Sequence, residues 1–395
     1  MLQGLYKQAS FAQQELILRR LVTLLGLVLA TSPGFAKEPA PFFGVIDAGS
    51  SGSRLHVYKF GADAGSIEDV LEVASAGAPL ASHMDQPAAA GERSIGPMLR
   101  MLDRELSQRG ISKADVTMHV LATGGMRLLA TPAAQAIEAS VLRTLGEGGY
   151  QAGRIETISG EMEGFYAWLD VNVLLGKLRP GQAPASIVEI GGASMQVAYA
   201  GAPAGPGVVT ASFGGATYSV RSVSFLGLGI DQARKTLMDS GEGGACYPTG
   251  VVSAMPEVSG ARAAFDADRC AKAFTKVIGD AMRALPRDEM NAQPFIGLGR
   301  PLTGVLTDWR LPQDRPAAMK QLAREKCVLP WAAFTSTVGN TPFTPYLCVN
   351  SIYLATLLFH AAGFGFAENQ LVAADRIAGR RPSWTRGAAL MLRYP

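Results

Sequence analysis

Two stretches of this chain repeat one pattern: an apolar β-branched run, an acid, a Gly/Ser-rich turn and a second alternating run. The first is Phe43-Gly-Val-Ile-Asp-Ala-Gly-Ser-Ser-Gly-Ser-Arg54, and the second is Ile187-Val-Glu-Ile-Gly-Gly-Ala-Ser-Met-Gln-Val197. Each reads as a strand, a tight hairpin and a second strand. The acids are Asp47 and Glu189. Glycines in such a turn let backbone N–H groups point at an anion with no Cβ in the way. Two such turns facing each other can hold a polyphosphate and a divalent cation between them. One Gly-rich turn would say little; the same turn twice, with an acid at a similar point, says much more.

The rest of the chain sets the frame around this pair. Its 395 residues suffice for two domains of ordinary size, and 48% hydrophobic with 17% charged residues makes it globular. A net charge of +3 gives no reason to expect nucleic acid or an anionic membrane as partner. Arg19-Arg20 precede the apolar run Leu21–Ala30, and Gly34-Phe-Ala36 offers small residues before a cleavage point. Residues 1–36 therefore read as an export signal. An uncleaved anchor is the alternative, although the run is about half the roughly 20 residues needed to span a bilayer. The segment Ser383–Pro395 shows no second membrane stretch, so the mature protein is expected to be soluble and periplasmic or secreted.

Cys246, Cys270, Cys327 and Cys348 all lie in the second half. An even count in an exported chain suggests two disulfides. Three pairings are possible; Cys246–Cys270 and Cys327–Cys348 are favoured because they close short loops. Buried free thiols are the alternative, and zinc is disfavoured because no C-x-x-C occurs.

Along the chain, strands at 42–58, 116–121, 154–158 and 186–199 alternate with helical periodicity at 92–109, 132–145, from Glu161 to Gly176, from about Asp231, and at about 350–362 and 383–393. Two related halves built this way argue for an α/β duplication with ligand in the cleft between them.

The motifs in order resemble the apyrases, the nucleoside triphosphate diphosphohydrolases of the actin-like superfamily. Five blocks carry the resemblance: Asp47–Arg54, Ala122-Thr-Gly-Gly-Met-Arg-Leu-Leu129, Ser159-Gly-Glu-Met-Glu-Gly-Phe-Tyr-Ala-Trp168 with Asn172, Glu189–Gln196, and Ser224-Phe-Leu-Gly-Leu-Gly229. Cys246-Tyr-Pro-Thr-Gly250 is also similar. The resemblance implies two related actin-like (RNase H-like) domains with mixed sheets flanked by helices and an interdomain active site. The expected division is 37–162 and 163–377, with 378–395 packing back on the first domain. Three departures stand out. Glu189 replaces the family's usual Asp, Met195 its common Thr, and Gly124 its usual Ala; the last is expected to add flexibility.

Hydrolysing a phosphoanhydride needs charge neutralisation, positioning and an activated water. Asp47 and Glu189 are hard oxygen donors suited to Mg²⁺ or Ca²⁺ held largely through water, with Mn²⁺ a further candidate. Ser50, Ser51, Gly52, Ser53 and Arg54 on the first loop, and Gly191, Gly192 and Ala193 on the second, are the phosphate-binding candidates. Glu163, at a helix start after a Ser-Gly turn, is the expected general base, as the resemblance also implies. Thr123, Ser194 and Gln196 can orient the water. By themselves Glu163 would pass for a helix N-terminal acid and Asp47 or Glu189 for turn caps; the order of the blocks decides for catalysis. The resemblance implies that Tyr346 and Tyr353, in the region where similar apyrases place such rings, are candidates for stacking a base, with core scaffolding around Cys348 as the alternative. Trp168 and the four histidines read as structural. The expected partners are nucleotides, with no nucleic acid and no stable membrane span, acting on a monomer. The rivals are an exopolyphosphatase or guanosine pentaphosphate phosphatase of the same superfamily, and a nucleotide-binding surface protein without turnover.

Overall fold

The apolar runs before Asp47 and Glu189 each become the central strand of a sheet. The computed structural model describes residues 41–61, 66–74, 77–201, 204–251, 264–285, 287–290 and 293–394, so the export signal expected at 1–36 lies outside the described residues. In the first sheet β1 (Phe42–Ala48) pairs antiparallel with β2 (Ser53–Phe60), and β2 with β3 (Ile67–Ala74). On its other side β1 runs parallel to β4 (Val116–Ala122), and β4 to β5 (Gln151–Thr157). The order is β3-β2-β1-β4-β5. Interior strands covered on both faces need continuous apolar sequence, and Val45 and Ile46 are fully buried.

The second sheet repeats this plan. β6 (Ser186–Ile190) pairs antiparallel with β7 (Ser194–Ala200), which pairs through an antiparallel ladder with β9 (Ala216–Leu226). β6 lies parallel to β10 (Phe295–Leu298), and β10 to β11 (Leu371–Ala373). The one addition is β8 (Val208–Phe213), a hairpin partner on the outer edge of β9. Strand for strand, the order β11-β10-β6-β7-β9 matches β5-β4-β1-β2-β3, parallel and antiparallel contacts included. This is the actin-like duplication that the two halves of the sequence imply.

Helices cover the sheets. α1 (Gly96–Gln108) and α2 (Thr131–Glu147) share the first core, α1 through Met98, Leu99, Leu102 and Leu106. α3 (Gly160–Leu174) is buried on nearly every face; it packs on the second sheet and is expected from its sequence to start at Glu161. Ser159 caps it, its hydroxyl accepting from Met162 N at 3.2 Å. Its approach to β9 is tight enough that a Cβ on Gly164 would fall 2.4 Å from Ser222 Oγ. The division expected at 162/163 falls inside the first turn of this continuous helix, and Pro41–Pro395 forms one compact unit.

In the second half α4 (Ile230–Asp239), α5 (Ala267–Ala281), α6 (Arg300–Asp308), α7 (Ala318–Lys326), α8 (Trp331–Val338) and α9 (Leu347–Phe359) build a helical layer. α9 starts three residues before the position expected from the sequence. Disulfides join Cys246 to Cys270 on α5 and Cys327 to Cys348 on α9. Each closes a loop of 24 or 21 residues, which constrains the unfolded chain by about 3 kcal/mol. The last helix, α10 (Trp384–Arg393), lies across α3 and reaches β1 and β2. No helix of the described residues is long and apolar enough to cross a membrane.

Candidate active site

The two hairpin turns close alike. Gly49 N donates to Gly52 O at 3.0 Å, and Gly191 N donates to Ser194 O at 3.0 Å. Asp47 lies opposite Arg54, and Glu189 opposite Gln196. The turns face each other across a narrow gap. A Cβ on Gly192 would sit 2.6 Å from Ser50 Oγ, and one on Gly125 would sit 2.9 Å from Ser50 Cα. The first loop, the single helical turn Gly124–Arg127 and the second loop therefore meet at Ser50. Only glycine leaves backbone N–H groups accessible at this spacing.

Three carboxylates share the electrostatics of this gap. Burial pushes Asp47 up to about 7, against the pull of Arg54, while the charge of Glu163 pushes it further. The Arg54 guanidinium stands 3.9 Å away. Burial, then Glu163, Asp47 and Asp170, hold Glu189 well above the ordinary carboxylate range. Among the described residues Glu189 Oε2 is buried with no hydrogen-bond partner. A buried carboxylate oxygen left in this state costs stability unless a cation meets it. Among the described residues no group of three or more His, Cys, Asp or Glu converges to ligate a metal alone. Two hard carboxylates with an orphan oxygen fit a divalent cation that keeps much of its water.

Glu163 projects from the first turn of α3 and is 8% exposed. Its Oε2 accepts from Arg127 at 2.8 Å and from Gln196 Nε2 at 3.1 Å. Ser194 Oγ accepts from the same two side chains, at 2.9 Å each. Gln196 Nε2 also reaches Ser224 Oγ at 3.2 Å, which brings the fifth block into the network. Burial raises the Glu163 carboxyl above its usual value, and Arg127 opposes that shift. Among the described residues Glu163 Oε1 takes no hydrogen bond, so one oxygen is held while the other stays available.

Arg127 is the residue to which sequence reasoning gave no role. It lies within the second block, one helical turn after Thr123, and also donates to Ile158 O at 3.1 Å. A lone cation in an otherwise apolar, Gly-rich block was the available signal. Gly124 also stands at a close approach. A Cβ there would fall 2.9 Å from Ser194 Oγ and 3.0 Å from Ala193 Cβ. The missing methyl lets the second block close on the fourth.

The remaining candidates gather nearby. Thr123 is buried at the end of β4, and its N–H donates to Ala48 O at 3.3 Å. Ser53 Oγ is buried without a partner among the described residues, while Ser51 is exposed. Tyr346 is half-buried, with the Arg234 guanidinium 4.2 Å from its ring centroid. Arg234 also bonds Asp231 Oδ1 at 2.6 Å and Asn350 Oδ1 at 2.9 Å. The Asp231 carboxylate lies against Gly192, so Tyr346 connects to the second loop through two side chains. Tyr353 does not belong to this group. It is 1% exposed, packs on Phe274 and donates to Leu228 O. A base cannot stack on it without opening the core, and the scaffold reading holds there. Phe343, 71% exposed and three residues before Tyr346, is an accessible ring that the sequence reading passed over.

A sequence model of the GDA1/CD39 (nucleoside phosphatase) family matches residues 36–242. The chain belongs to that family. Probable apyrase 5 of Arabidopsis thaliana is 31% identical over 264 residues, covering 62% of this chain and 53% of that protein. Ectonucleoside triphosphate diphosphohydrolase 2 of Gallus gallus is 30% identical over 270 residues, covering 60% of this chain and 54% of its own. The chain spans about half the length of the curated relatives it matches. Among solved structures, nucleoside triphosphate hydrolases from Neospora caninum superpose with a TM-score of 0.59 at 16% identity, over 96% of both chains. That likeness establishes the actin-like fold.

Proposed function

We propose that this member of the nucleoside phosphatase family is an exported apyrase, removing terminal phosphates from nucleoside triphosphates and diphosphates to leave the monophosphate. The observation that carries the reading is the Glu163 carboxylate, buried beside the two Gly-rich turns and held through one oxygen by Arg127 and Gln196. Water attacks the terminal phosphorus in line, the phosphoanhydride P–O bond breaks towards the shorter nucleotide, and Glu163 accepts the proton. Ser194 and Gln196 orient that water, with Thr123 beside them. Backbone N–H groups of Ser50–Ser53 and Gly191–Ala193 receive the phosphate oxygens, and Arg54 offsets charge on the first loop. Asp47 and Glu189 would hold Mg²⁺ or Ca²⁺, which neutralises phosphate charge when bound. Tyr346, with the exposed Phe343, is the base-stacking side of the cleft. Export accords with two disulfides.

Glu163→Gln tests the assignment of the base. The amide keeps shape and hydrogen bonding but cannot take a proton, so turnover should fall by about 10²–10⁴. Binding of a non-hydrolysable ATP analogue, measured by calorimetry with Mg²⁺, should remain. Turnover at the parent rate would remove Glu163 from the mechanism.

A further inference from the structure

A buried ion cluster outside the cleft has no part in the chemistry above. Asp170 on α3 is fully buried, and Arg386 on α10 is 3% exposed. Arg386 donates to Asp170 Oδ1 at 2.5 Å, and to both oxygens of Asp69 on β3 at 3.0 and 2.9 Å. Asp170 Oδ2 takes a further bond from Ser383 N at 2.7 Å. Thr385 adds a contact at 2.7 Å to the Tyr58 hydroxyl of β2. One guanidinium thus joins the C-terminal helix, α3 and the first sheet. The helices touch backbone to backbone beside it: a Cβ on Gly387 would lie 2.0 Å from Tyr166 O.

Such a cluster is poor evidence for stability, because apolar residues of similar volume often serve as well. Its geometry fits specification better. Asp170 follows Glu163 by seven residues, which places both on one stripe of α3. The same helix holds the second loop's strand: Asn172 Oδ1 accepts from Ala185 N at 2.7 Å, and its Nδ2 donates to Ala185 O at 3.1 Å, next to the start of β6. Asp69 lies opposite Tyr58 on β2, the strand that leaves the first loop. Arg386 therefore joins the element carrying Glu163 and leading to Glu189 to β3, the strand paired with the one that leaves the first loop.

We propose that Arg386, through Asp170 and Asp69, is a positioning residue for the reaction: it fixes the distance between Glu163 and the first phosphate loop. The inference rests on the proposed function. Arg fits this task where Lys would not, because its planar fork meets two carboxylates at once.

The test compares the full chain with Asp170→Leu/Arg386→Leu, which removes the buried pair together and strands no deep charge. With Mg²⁺ and ATP, kcat should fall about 10-fold while KM stays within about 2-fold, and Tm should match or exceed the parent. A parent-like kcat at parent-like Tm would reduce the cluster to packing and overturn the proposal. Should the double variant not fold, Asp69→Asn decides alone: its carboxylate is 36% exposed, and the Arg386–Asp170 pair survives. It should lower kcat about 3-fold at unchanged KM, and an unchanged kcat overturns the brace. Arg386→Lys should fall between parent and double variant. A parent without phosphate release from ATP removes the function reading; an active parent matched by its variants removes the brace alone.

Discussion

The two phosphate loops share topology, register and turn closure, yet they differ in what stands opposite the acid. On the first loop Arg54 faces Asp47, is partly exposed and offsets its charge. On the second, Gln196 faces Glu189, is 1% exposed and turns to Glu163, Ser194 and Ser224. The Glu189 carboxyl is left with other carboxylates as its main electrostatic neighbours and an orphan oxygen. The two sheets share one plan, and the residue opposite the acid is Arg54 in one and Gln196 in the other. The first loop neutralises charge from within the protein. In the second, Gln196 bonds Glu163 instead of offering Glu189 a counter-charge, and under the proposed mechanism a bound cation would supply that charge.

The largest break in this comparison should come from exchanging the two acids for their amides. Glu189→Gln should lower the metal-supported rate by roughly 100-fold, and Asp47→Asn by less, because Arg54 then loses a partner it was only partly neutralising. In EDTA the sign of the Glu189 effect reverses. Glu189→Gln removes an unsatisfied buried carboxylate and should raise Tm by about 2 °C, whereas Asp47→Asn should change it little. Calorimetric melts with and without metal check both. Equal effects of the two variants would erase the asymmetry.

A smaller change should follow from Arg127→Met. Glu163 must be ionised to accept a proton, and its carboxyl already lies above the usual value because burial outweighs Arg127. Activity should therefore fall on the acid side, with an inflection above the ordinary carboxylate pKa. Losing the cation raises the Glu163 pKa further, so that limb should move to higher pH while kcat drops about 10-fold. A limb that stays in place, read from kcat against pH, would remove Arg127 from control of the base. Smallest is Gly124→Ala, which pushes a methyl against Ser194 and should lower kcat about 2–3-fold without changing KM. An unchanged kcat would show that the second and fourth blocks can separate at no cost.

Much of this arrangement was legible in the sequence because it is local. Each loop is one contiguous strand–turn–strand, and the acid, the glycines and the alternation all fall within a dozen residues. The nearest-neighbour cysteine pairs are also those joined in the structure. What could not be read is non-local. Arg127 gains its meaning only from Glu163 and Ser194, residues 36 and 67 positions away. Tyr353 stayed open between base stacking and core scaffolding because aromatic identity says nothing about which face of α9 is covered; the structure turns it into the core. The edge strands β3, β8 and β11 were missed because β8 alternates only weakly, β3 is charged at Glu68, Asp69 and Glu72, and β11 has three residues; the interior strands β9 and β10, the latter of four residues, were missed as well. Arg386 was invisible, since its partners come from segments 216 and 317 residues away.

The central claim is that these two loops and Glu163 form a metal-dependent nucleoside phosphatase site. Phosphate release by the protein lacking residues 1–36, offered ATP, ADP, AMP and long-chain polyphosphate with Mg²⁺ or with EDTA, tests it most directly. The account predicts release from ATP and ADP, none from AMP, and loss of both activities in EDTA. Release from polyphosphate alone, or undiminished release from ATP in EDTA, would contradict it.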